Sequence, residues 1–273
     1  MVRRLLIRPG AIGDFVVSIP AMECLRAEYL EVWSAAQNVP LARFAHRARA
    51  ISATGLDMLE LDQPDPRLLE NLRSFDSIVS WYGANRAEFR DCVAALHLPF
   101  QFFTALPPAE CGMHAADFYL QQARSISPCQ HDGVPRIACP PAPHGRFAVI
   151  HPFAGSLKKC WPLERFQELA RRLSARLPVA WCAGPEDPLP SAARFDDLYE
   201  LACWLAGARV YIGNDTGPTH IAAAAGVPVV ALFGPSDSVV WAPRGPRVEI
   251  ARAPTLDDIP VDQVESLVCR SLG

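Results

Sequence analysis

A chain of 273 residues, half of them hydrophobic and a fifth charged, is long for one compact α/β domain and sufficient for two small ones. Its net charge of −3 excludes the strongly basic footprint of a general nucleic-acid binder. No run approaches the ~20 apolar residues of a membrane span, and the basic start Met1 to Arg8 leads into an apolar run too short for a secretion signal.

Nine cysteines are scattered through core-like segments with no CxxC pair, which reads as reduced cytosolic thiols. Cys129, His131 and Cys139 match no zinc spacing, so no metal is expected.

Leu5, Leu6 and Ile7 form a short apolar run stopped by Pro9 and Gly10, a buried first strand. The turn at 10–14 follows, then a helix over about 16–29 with Val17, Ala21, Met22, Leu25 and Tyr29 on one face. A second strand is expected at 31–34, and a helix over 39–51 carrying Arg43, His46, Arg47 and Arg49. Residues 56–61 and 77–82 read as strands on either side of a helix at 66–72, and 113–123 as a helix closing the first half. The stretch 127–145 holds Pro128, Pro135, Pro140, Pro141 and Pro143, so neither a helix nor a central strand fits there and it reads as a linker.

The alternation then restarts. A strand at 147–150 leads into a small-residue, basic loop at 154–159. Pro162 stands at a tolerated first-turn position, and Leu163, Phe166, Leu169, Ala170, Leu173 and Leu177 recur at helical spacing. Strands at 179–182 and 209–212 flank a helix at 198–205. A helix from about Pro218 is ended by Gly226 and Pro228, and a last strand runs 229–233. Strands alternating with helices imply βαβ units. The expected fold is α/β, with two mainly parallel sheets flanked by helices and domains at 1–140 and 141–273.

Three segments carry chemistry. In the first, 214–220 (Asn-Asp-Thr-Gly-Pro-Thr-His), a strand ends and a helix begins among small residues. Unpaired amides and the helix dipole make such a start an anion site, at the strand ends where open α/β sheets bind ligands. The plain alternative is a turn in which Asp215 only caps. The second, 10–14, places Asp14 after a strand, where a carboxylate within reach of a hydroxyl can take its proton; alternatively Asp14 caps a helix beginning near Phe15. In the third, 156–162, Lys158 and Lys159 can neutralise a departing diphosphate, or form an ordinary solvated basic loop.

These segments resemble glycosyltransferase family 9, the lipopolysaccharide heptosyltransferases. The family-like motifs occur in order. Gly13-Asp14 comes with Pro20, and His151-Pro152 leads to Lys159-Cys160-Trp161-Pro162. Asn214 to His220 then runs on to Phe233-Gly234-Pro235, with Trp241 beyond. The resemblance implies two facing Rossmann-like domains of the GT-B type, the first on the acceptor side and the second binding a nucleotide sugar. It implies an inverting, metal-independent transfer, with heptose moving from ADP-heptose onto a lipopolysaccharide-core-type acceptor. Asp14 would be the base and Lys159 would stabilise the departing nucleoside diphosphate. Thr216 and Gly217, with Asp215, His220 and Ser156, would hold the phosphates, and Glu186 would contact the nucleotide ribose.

No separate cofactor is expected beyond the ADP-linked donor. The expected partners are that donor and a saccharide or glycolipid acceptor, with no nucleic acid. The expected location is cytoplasmic, with peripheral contact to an inner membrane left open; Arg43, Arg47 and Arg49 could meet an anionic acceptor or that surface. Two other readings stand beside this one: a same-fold transferase with another donor, and a degenerate nucleotide-sugar binder without turnover. A dehydrogenase is disfavoured because no GxGxxG opens either half.

Overall fold

The computed structural model describes residues 1–60, 64–108, 110–141, 145 and 147–272. It divides into two compact units. The first comprises Met1–Ala11, Ser18–Cys111 and Ala115–Gly133; the second comprises Ile12–Val17, Gly112–His114 and Val134–Gly273.

The first unit is built on a parallel sheet in the order β3-β2-β1-β4-β5. Strand β1 (Arg3–Arg8) ends at Pro9-Gly10, and helix α1 (Ile12–Cys24) follows with Pro20 in its interior. Next come β2 (Tyr29–Ser34) and β3 (Arg47–Ala50). Helix α2 (Pro66–Arg73) opens with Pro66 in its first turn and the Asp65 carboxylate accepting from the Arg67 amide at 2.9 Å. Strand β4 (Ser77–Ser80), helix α3 (Ala87–Ala95), strand β5 (Phe100–Phe102) and helix α4 (Ala115–Arg124) complete it. Leu5, Ile7, Trp33, Ile78 and Phe89 lie in one fully buried cluster, because strands covered on both faces read as continuous apolar runs.

The second unit repeats the plan in the order β10-β9-β8-β6-β7, all pairs parallel. Strand β6 (Ala148–His151) precedes α5 (Leu163–Leu173), β7 (Val179–Trp181) and α6 (Leu198–Ala206). Strand β8 (Val210–Asn214) turns into α7 (Gly217–Ala224), which is followed by β9 (Val229–Phe233), α8 (Ser238–Trp241), β10 (Val248–Arg252) and α9 (Val261–Leu272). Gly226, at φ +86°, takes the left-handed position that ends α7. Phe166, Leu169 and Leu173 bury one face of α5 against Val264, Leu267 and Val268 of α9. Truncating one such leucine to alanine costs roughly 2–5 kcal/mol.

Several expectations are corrected. Residues 39–51 are not a helix: a 3₁₀ turn, Ala36–Leu41, precedes edge strand β3, so Arg47 and Arg49 sit on a sheet edge, where charge discourages strand pairing. His46 there accepts the Leu30 amide at 3.0 Å and stacks on Tyr29. Residues 56–60 form turns, including the 3₁₀ turn Leu56–Met58, rather than a strand; residue 61 lies outside the described residues. The expected strand and helix boundaries elsewhere shift by a few residues, α1 most of all, starting at Ile12 and ending at Cys24. The thiols are not all reduced: Cys24 and Cys129 form a disulfide, with Cα atoms 5.6 Å apart. Among the described residues no helix is long and apolar enough to cross a membrane.

Candidate functional site

The second unit's carboxyl strand ends meet at the start of α7. Thr216 is the N-cap residue in extended conformation, and Gly217 and Pro218 open the helix. The Thr216 hydroxyl lies 3.2 Å from that of Thr219, which in turn donates to the Asn214 carbonyl. The Thr216 and Gly217 amides stand at the helix start, where no preceding turn supplies carbonyl partners. A helix start of this kind leaves N–H groups that can meet an anion.

Asn214, fully buried, holds the surrounding loops. Its Nδ2 donates to the Pro152 carbonyl at 2.8 Å and its Oδ1 accepts the Trp161 amide at 3.0 Å. One side chain thereby fixes both ends of the loop after β6 against β8. Trp161, also buried, donates its indole N–H to the Ile259 carbonyl at 3.0 Å and packs edge-on against Phe166.

That loop carries Lys159, the last residue of a 3₁₀ turn (Leu157–Lys159) whose N-cap is Ser156. Lys159 Nζ donates to Asp215 Oδ2 at 2.9 Å. On the other side of the same carboxylate, His220 Nε2 lies 3.8 Å from Oδ1. Burial raises the carboxyl's proton affinity, but the pull of the neighbouring His220 and of the Lys159 hydrogen bond outweighs it and holds Asp215 down to about 2. Asp215 is therefore an anchored anion that aims a cation at the start of α7.

The first turn of α1 belongs to this unit. A Cβ added at Gly217 would lie 2.5 Å from Ile12 Cβ, and one added at Gly13 would lie 3.2 Å from His220 Cδ2. Backbone and side chain meet so closely that only glycine fits at 217. Asp14 follows directly, half-buried and inside the first helical turn rather than capping a helix near Phe15.

Lys159, Asp215, Thr216, Gly217, His220 and the turn bearing Asp14 thus come together. Ser156 is exposed at the head of the Lys159 turn, and its carbonyl accepts the Lys159 amide at 2.9 Å. Glu186 is exposed on the loop after β7, a strand separated from β8 by β6, and no described contact joins it to the Asp215 cluster. Asp187 organises that loop, accepting the Gly184 amide at 2.6 Å. The Asn214 clamp is a feature the sequence reading did not single out, because its two partners lie more than fifty residues away. His151, buried at the end of β6 beside Gly213, is held down to about 4 by burial, against the pull of Asp187.

Parallel α/β sheets flanked by helices, with a helix start and a lysine at the second sheet's strand ends, define a Rossmann-like architecture. The family model for glycosyltransferase family 9 (heptosyltransferase) matches residues 113–267, and the chain belongs to that family. Lipopolysaccharide heptosyltransferase 3 of Escherichia coli is 31% identical over 114 residues, a match spanning 36% of this chain and 34% of that protein, about a third of its length. Among solved structures, a glycosyl transferase family 9 protein from Veillonella parvula superposes with a TM-score of 0.80 at 17% identity, covering 99% of this chain and 97% of that one. The E. coli heptosyltransferase WaaC with ADP gives 0.73 at 15% identity, covering 99% and 100%. At these identities the structures speak for the fold.

Proposed function

We propose that the chain is an inverting, metal-independent glycosyltransferase that moves heptose from ADP-heptose onto a lipopolysaccharide-core-type acceptor. The observation that carries this reading is the packing of Ile12 and Gly13 on Gly217 and His220, which brings the Asp14 turn beside the anion cradle. Family membership and the relatives' names, one of them a structure with ADP, support the donor class.

In this reading the donor diphosphate lies on the Thr216 and Gly217 amides. Ser156 adds a hydroxyl, His220 borders the cradle, and Glu186 meets the ribose. The acceptor hydroxyl attacks the anomeric carbon opposite the leaving group, and its proton passes to Asp14. The bond from anomeric carbon to phosphate oxygen breaks with its electron pair, leaving the new charge on the diphosphate. Lys159, aimed by Asp215, and the helix amides neutralise that charge, the task a metal ion performs in other transferases. One displacement inverts the anomeric centre. The enzyme would work in the cytoplasm, reaching a glycolipid acceptor at the inner membrane's surface.

Calorimetry with ADP on the wild type and Asp14→Ala, alongside transfer assays, tests the reading. Both should bind ADP alike while the variant loses transfer. Wild-type transfer by Asp14→Ala removes Asp14 from the base role, and ADP binding without transfer by the wild type favours a binder without turnover.

A further inference from the structure

Helix α3 and strand β5 line a groove of about 530 Å³ that lies wholly within the first unit. From the helix come Ala87, Arg90, Asp91 and Ala94, all exposed and spaced so as to share one helix face. From the strand come Phe100 and Phe102, which alternate with Gln101 and therefore stand on one side of the sheet. Strand β5 is the sheet's edge, so among the described residues no strand lies beyond it.

The two rings are half-buried and near parallel, 29° apart with centroids at 5.6 Å. Each meets the buried Phe89 ring edge-on, at 5.8 Å for Phe100 and 6.1 Å for Phe102, so Phe89 fixes them as one apolar wall. Arg90 Cζ stands 5.8 Å from the Phe102 centroid, which holds the guanidinium beside that wall. Among the described residues neither Arg90 nor Asp91 makes an ion pair or a side-chain hydrogen bond, so both keep their polar capacity for a ligand.

This lining selects a chemistry. A guanidinium only donates and a carboxylate only accepts, whereas a hydroxyl does both. The two neighbouring charges cancel, which disfavours a bare anion or cation. An acyl chain would strip water from both charged groups and give them no partner. A pyranose ring meets every feature: its C–H face packs on the aromatic wall, and its hydroxyls reach the acid and the guanidinium. Ala87 and Ala94 leave width for such a ring, and the volume falls in the range of small-molecule sites, roughly 300–1,000 Å³.

We propose that the groove between α3 and β5 is a saccharide subsite, in which Phe100 and Phe102 pack on a pyranose face while Arg90 donates to its hydroxyls and Asp91 accepts from them. The inference deepens the transferase reading, on which it rests for the choice of an acceptor saccharide.

Calorimetry of the full chain with deacylated lipopolysaccharide-core oligosaccharide tests it. Arg90→Ala and Asp91→Ala, both on an exposed helix face, should each bind the oligosaccharide about tenfold more weakly. Phe102→Leu should weaken it similarly, and Phe102→Tyr, which keeps the ring, should restore it. ADP binding should stay unchanged in all four variants, and in transfer assays the acceptor KM should rise while kcat holds. Equal oligosaccharide affinity in the wild type, Asp91→Ala and Phe102→Leu overturns the subsite, as does an absence of binding by the wild type. A concentration-dependent dimer that Asp91→Ala dissolves also overturns it, because a second copy then fills the groove. Saccharide binding that these variants weaken, in a chain that transfers nothing, keeps the subsite and removes the transferase reading. Transfer with an acceptor KM that they leave untouched does the reverse.

Discussion

Lys159 and Asp215, 56 residues apart in sequence, meet at 2.9 Å, and the lysine keeps 43% of its side chain exposed while the carboxylate keeps 10%. The buried partner is the acid; the exposed partner is the cation that can reach a ligand. Asp215→Asn should therefore leave the fold nearly intact while turnover falls tenfold or more, each tenfold being about 1.4 kcal/mol. Lys159→Ala should lower turnover and weaken ADP binding together. Steady-state kinetics beside ADP calorimetry separate the two, and unchanged turnover in both variants would remove the pair from the chemistry.

Acid should act on the same pair. With Asp215 held at about 2, below its ordinary 3.8, its contribution is complete above pH 3.8 and is lost as pH falls towards 2. The stability gap between wild type and Asp215→Asn should narrow over that window in acid unfolding curves.

Asn214→Ala should destabilise the chain by roughly 2–5 kcal/mol, because it strands the Trp161 amide and Pro152 carbonyl in a buried place. Urea unfolding measures this, and a loss near zero would mean water replaces the side chain.

Gly217→Ala forces its new methyl against Ile12 and should cost roughly 1–3 kcal/mol. Cavity-making Ile12→Ala in the same chain should restore part of that loss. A double-mutant cycle with no coupling would deny the contact.

His151 predicts a second pH dependence of opposite chemistry. Its folded-state value of about 4 lies below the ordinary 6.5, so the unfolded chain takes up the proton first. Stability is complete above pH 6.5 and falls by roughly 3 kcal/mol as pH drops to 4. His151→Gln should flatten that part of the curve in thermal melts from pH 7 to 4.

The α7 turn was legible because its signals are local: Pro218 in the first turn, Gly226 in the left-handed position and Pro228 beyond it. The Lys159 loop was legible as a basic loop beside a helix start, but not its attachment, since the Asn214 clamp joins residues more than fifty apart. Residues 39–51 misled because Arg-Ala alternation at 47–50 suits an edge strand as well as a helix, and only pairing with β2 decides. Strand β5 is three residues long, too short to show a period. Helix α9, by contrast, displays Val264, Leu267, Val268 and Ser271 at helical spacing; that pattern was present and went unread.

The packing of Ile12 on Gly217 bears on how the chain is made. A ribosome releases residues 12–17 some two hundred residues before the neighbours around Gly217 and His220 that complete their surroundings. Until then the apolar start of α1 must wait uncovered, so a stalled or truncated product would expose it to chaperones or to other nascent chains. The carboxylate assigned to proton removal gains its final setting only after Gly217 and His220 have emerged.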